Sequence, residues 1–114
     1  MDINDKIGLK NMLDSVSSLY YDIDECIGNL VKSRMNKDTE QENKACAQME
    51  FLLVASAQEF TCIMDFLKDL LKENEPVDLA ATIEINKKMK EFETRHRSKM
   101  AMSELAIRNF HFTD

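Results

Sequence analysis

Few residues in this chain can do chemistry. Two histidines (His96 and His111) and three cysteines (Cys26, Cys46 and Cys62) are the soft metal ligands and strong nucleophiles available. Glu93-Thr94-Arg95-His96 forms an E-x-x-H. Two such steps plus two further glutamates hold a di-iron centre in a helical bundle, because positions i and i+3 point at one metal pair. The chain has no second E-x-x-H. A homodimer could supply one by symmetry, but the apolar seams described below carry no glutamate in the first two helical segments. His96 is therefore expected to be a partly buried helical histidine, with no metal and no cofactor.

The motif inventory points the same way. No G-x-S-x-G elbow, Walker lysine loop or H-E-x-x-H is present. Gly8 and Gly28 are the only glycines, and both sit inside helical patterns. Active sites usually need shaped loops, and this sequence has almost none. The expectation is a protein that is not an enzyme. The cysteine count is odd and contains no C-x-x-C. Each cysteine lies among helical apolar residues, so reduced, buried thiols in a cytoplasmic, reducing setting are expected.

Charge narrows the partners. The net charge is −6, with 15 basic and 21 acidic side chains. Bulk nucleic-acid binding needs dense Lys and Arg, so it is disfavoured. The distribution is uneven: residues 1–78 sum to −8 and residues 79–114 to +2. Lys87, Lys88, Lys90, Arg95, Arg97 and Lys99 form a basic run diluted by Glu91 and Glu93. It reads as a solvated face that pairs with the acidic segments, or as a docking surface for an acidic partner. The N-terminus has neither a basic nor an apolar leader region, so no signal peptide is expected. The longest apolar-to-small run, Phe51 to Ala57, falls far short of the roughly 20 residues that span a bilayer.

These side chains must be positioned by helices. Two glycines, one proline and 44% apolar residues cannot supply the turns of a sandwich or barrel. Breaks at Asn36-Lys37-Asp38-Thr39 and at Glu73-Asn74-Glu75-Pro76 divide the chain into helices at about 4–35, 40–73 and 78–109. Thr39 with Glu42 fits a capping box, and Asp78 fits an N-cap. Each helix should be roughly 48 Å long at 1.5 Å per residue. Equal lengths and short connections predict one all-α domain, residues 1–114. It is expected as an elongated antiparallel three-helix up-down-up bundle with coiled-coil-like packing and a capacity to dimerise.

The periodicity names the core. Leu9, Leu13, Val16, Tyr20, Ile23, Ile27 and Leu30 step alternately by four and three, an unbroken heptad seam. Met49, Leu53, Ser56, Phe60, Ile63, Leu67 and Leu70 repeat it in the second segment. The third is weaker: Leu79 and Ile83 start it, and Ile85, Met89, Phe92, His96, Met100, Ser103, Ile107 and Phe110 continue with a stutter after His96. The eight methionines are expected mainly as adaptable core filler.

Phe51 and Val54 fall off the second seam, on the face that should be wet, with Met64 and Leu71 at the seam's edge. Either the third helix covers them or another protein does. These four residues are the predicted protein interface. The function expected is a non-catalytic helical interaction module, self-associating or joining a larger helical assembly as subunit or adaptor. The alternative is a small chaperone or inhibitor that masks an amphipathic segment of a client, with the third helix as its movable part. Helix triplets of this length recur in spectrin-like repeats, secretion chaperones and tethering-complex subunits. No motif of these matches residue by residue, and the core tryptophan usual in the first is absent.

Overall fold

The computed structural model describes residues 2–74 and 78–108. Among them are three helices and no strand: α1 (Ile3–Met35), α2 (Thr39–Asn74) and α3 (Leu79–Arg108). All three pack against one another as a bundle. Glu75, Pro76 and the Phe110 end of the third seam lie outside the described residues.

Local chemistry sets the helix ends. Asp2 caps α1, its Oδ1 accepting from the Asp5 backbone N–H at 2.8 Å. The α1–α2 connection is a Schellman turn. The Lys37 N–H donates to the Arg34 carbonyl and the Asp38 N–H to the Ser33 carbonyl. Lys37 adopts the left-handed conformation this turn requires, at φ 55°. Asp38 then caps α2, with its carboxylate accepting from the Gln41 N–H at 3.1 Å. This corrects the expected capping box: Thr39 is the first helical residue, and Glu42 faces Arg34 Nε at 3.6 Å instead of reaching back. Asp78 does cap α3, accepting from the Ala81 N–H at 3.0 Å.

The core follows the heptad seams of α1 and α2. Leu9, Val16, Tyr20, Ile23 and Leu30 from α1 and Met49, Ser56, Ile63, Leu67 and Leu70 from α2 are buried. Leu13, Ile27, Leu53 and Phe60 pack against them half-buried. Between these helices Gly8 lies against Phe66, and the Cys26 thiol donates to the Ala45 carbonyl at 3.1 Å.

The third helix packs differently. Its buried residues are Ala81, Ile85, Phe92, Ser103 and Ala106, three of them small. Leu79 and Ile83 are 73% and 61% exposed, so they do not begin the seam as expected. The reason is angular: Ile83 sits two residues from Ile85, nearly opposite it on a helix, and the seam follows Ala81 and Ile85 instead.

Polar groups supplement this thin apolar contact. Tyr20 hydroxyl and His96 Nδ1 lie 2.7 Å apart, Lys99 Nζ lies 2.6 Å from Asp24 Oδ2, and Arg95 donates to Ser17 Oγ at 3.0 Å. Arg34 donates to the Ala106 carbonyl at 2.6 Å, near the open end of α3.

Candidate functional site

The candidate surface is the outer side of α2. Helix α3 does not cover it: with α3 docked, Phe51 is 71% exposed and Val54 60%. Leu52 and Met49, which flank them in sequence, are buried in the seam. A helix turns 100° per residue, so a run such as Phe51-Leu52-Leu53-Val54 must send some apolar residues outward once its seam is fixed. Phe51 stands at one side of a cleft of about 660 Å³ between α1 and α2. Ser15, Ser18 and Leu19 of α1 line it with Ala55, Gln58, Glu59 and Cys62 of α2. Short side chains leave the space, and Leu19 supplies an apolar floor.

Met64 and Leu71 are placed elsewhere. Both are half-buried and pack on the core. Met64 lines the α2–α3 cleft beside Phe60 and His96, away from Phe51. The four expected interface residues therefore divide into an outward pair and a core-bound pair.

The basic run also divides. Lys99 and Arg95 reach α1, Arg95 with its guanidinium 5.1 Å from the centre of the Tyr20 ring. Lys87 and Arg97 pair along their own helix with Glu91 and Glu93. Lys88 lines the α1–α3 clefts, and Lys90 is exposed. At 100° per residue Lys88, Arg95 and Lys99 fall on one side of α3 and Lys87, Lys90 and Arg97 on another, so no single cationic stripe forms.

His96 and Tyr20 lie among the aromatic rings between the helices. His96 stacks on Phe60 at 4.1 Å between ring centres, and Phe60 stacks on Phe92 at 5.3 Å. Burial lowers the His96 pKa below its usual value, and burial raises that of Tyr20 to about 12 against the opposing pull of Arg95. No group of three or more His, Cys, Asp or Glu able to hold a metal occurs among the described residues. All three cysteines are free. Burial pushes the Cys26 and Cys46 thiols up, which makes them poorer nucleophiles. Cys62 departs from the expected burial: it is exposed at the edge of the α1–α2 cleft.

Sequence periodicity found Phe51 and Val54 but missed the cleft beside them. The cleft depends on where Ser15 and Ser18 of α1 come to lie, and no spacing within one helix reveals that. No helix among the described residues is long and apolar enough to cross a membrane. No family model, curated protein or solved structure matches this chain.

Proposed function

We propose that this protein is a non-catalytic helical interaction module that binds a helical protein surface, its own or another's, through the outer side of α2. The observation that carries the reading is the exposure of Phe51 and, one turn on, Val54, with Phe51 at the edge of an open α1–α2 cleft. Large apolar side chains clustered next to a concave surface mark protein contacts. Met64 and Leu71 serve the bundle's own core first and contribute at the margin. The architecture proposed is an antiparallel up-down-up bundle. Its support is the order of contacts: Gly8 meets Phe66 while Cys26 meets Ala45, whereas Ser17, Asp24 and Arg34 meet Arg95, Lys99 and Ala106 in rising order. A reducing, cytoplasmic setting is proposed from the three free thiols.

The test is a Phe51→Glu, Val54→Glu double variant. Both positions face solvent, so its helical content by circular dichroism should match the parent's. It should lose either the parent's oligomeric state, read by light scattering, or its cross-linked partner. Retention of both sinks the reading.

A second reading has its own support. The polar attachment of α3 suits a chaperone or inhibitor whose third helix yields to a client segment. Amide exchange separates the two. Strong protection along α3 in the isolated protein removes the chaperone reading, and weak protection that tightens with an added amphipathic peptide favours it.

A further inference from the structure

We propose that the occupant of the α2 surface is a second copy of this chain, packed α2 against α2 about a two-fold axis with the helices running in opposite directions. This rests on the reading of α2 as an interface and adds the partner and the register.

An outward stripe of α2 carries Lys44, Phe51, Ala55, Gln58, Cys62 and Asp69, of which Phe51, Ala55, Gln58 and Cys62 line the cleft. Its ends carry opposite charges, and the four residues between them are uncharged. All six side chains are exposed or half-exposed. A two-fold interface brings residue i of one copy onto j of the other, and j onto i. With Ala55 set opposite Gln58, the helical repeat sets Phe51 opposite Cys62 and Lys44 opposite Asp69. Each copy then presents its Phe51 ring to the other's cleft, at the Ser15, Ser18 and Cys62 wall where side chains are short. Each end closes with a Lys44–Asp69 pair, giving two pairs per dimer.

A parallel arrangement would set Lys44 on Lys44 and Asp69 on Asp69, repelling at both ends. The charge order therefore selects the antiparallel pairing. Lys44 is free to reorient, since its present partner Glu40 is a solvent-exposed neighbour one turn away at 3.5 Å.

The experiment is absolute mass by light scattering behind a sizing column, across a concentration series, for four proteins. The parent should approach twice the 13.2 kDa of one chain as concentration rises. Phe51→Glu should remain at the monomer mass. Lys44→Glu replaces two attractions with two repulsions and should weaken the dimer roughly tenfold. Lys44→Glu with Asp69→Lys reverses both partners and should restore the parent's dissociation constant.

Circular dichroism on each variant guards against misfolding. A parent that stays monomeric at all concentrations overturns the second copy as occupant and leaves the α2 surface to another protein. A dimer broken by Phe51→Glu but not rescued by the charge swap overturns the register and keeps the surface. A dimer indifferent to all three variants overturns both the inference and the reading beneath it.

Discussion

The α1–α2 pair and the α3 helix are joined to the same core by different physics. Between α1 and α2 the contact is a continuous apolar seam, with Val16, Ile23, Leu30, Met49 and Ile63 wholly buried. Helix α3 contributes two large buried apolar anchors, Ile85 and Phe92, with Met89, Met100 and Ile107 half-buried, and otherwise small residues and polar bonds. Apolar burial is non-directional and carries no charge for pH to titrate or salt to screen, while charged contacts are sensitive to both. The pair should behave as the durable part of the molecule and α3 as its conditional part. The outer side of α2 remains open because α3 seats its anchors on the Tyr20–Phe60 side, and the apolar residues it leaves exposed, Leu79, Ile83, Met102 and Leu105, leave Phe51 uncovered.

The sharpest way to break this contrast is to hollow each region in turn. Ile23→Ala should cost about 2–5 kcal/mol and lower the urea midpoint of the whole chain. Ile85→Ala removes the same atoms from α3, but its main effect should be faster amide exchange confined to α3. Equal loss of protection in all three helices would mean that the bundle is one cooperative unit and the contrast is void.

Acid gives the next largest effect. The His96 pKa is lowered by burial from 6.5, so the folded chain binds fewer protons there than the unfolded chain does. Its contribution is complete above about pH 6.5 and is lost as pH falls through the folded value. Protonation charges a half-buried ring stacked on Phe60 and disturbs the Tyr20 bond; Glu93 and Arg97 of its own helix and Asp65 and Lys68 of α2 line the cleft it faces. Protection of the α3 amides, relative to their intrinsic exchange at each pH, should fall as pH drops below about 6.5, with α1 and α2 unchanged. Alkali acts on the other partner: the Tyr20 pKa is raised from 10.0 to about 12, so its share of stability declines as pH rises through that interval.

Smaller changes sharpen the comparison further. Tyr20→Phe keeps the ring and deletes the bond to His96, which should cost about 1 kcal/mol and flatten the acid response, because the bond that protonation disturbs is already gone. An unchanged acid response would place the sensitivity elsewhere. Lys99→Ala breaks a partly exposed pair with Asp24 and should cost under about 1 kcal/mol, fading further in high salt. A larger, salt-independent loss would make that pair structural.

The legibility of the sequence follows the same division. In α1 and α2 the apolar side chains are large and regularly spaced, so the seam and the helix limits could be read to within a residue. In α3 the seam read Ile85, Phe92 and Ser103 correctly, but the buried Ala81 and Ala106 are too small to leave a periodic signal, while Leu79 and Ile83 gave a false one. At the first turn, a left-handed Lys37 did what glycine usually does, which hid the Schellman motif and moved the cap from Thr39 to Asp38. Phe51 and Val54 were legible as residues off the seam, because exposure at those positions depends on one helix alone. The cleft that gives Phe51 a setting depends on the α1–α2 register and was not.

The molecule measures 59 × 22 × 15 Å, and its radius of gyration is 17.8 Å, where a compact chain of this length would have about 13 Å. Such a rod meets more drag than a sphere of equal mass, so a single chain elutes from a sizing column as though it were heavier. A pair joined flank to flank thickens the rod without lengthening it, and its frictional ratio falls toward that of a globule. A pair joined tip to tip does the reverse. Diffusion and X-ray scattering profiles therefore distinguish the two assemblies by shape, even where elution volume gives one answer for both.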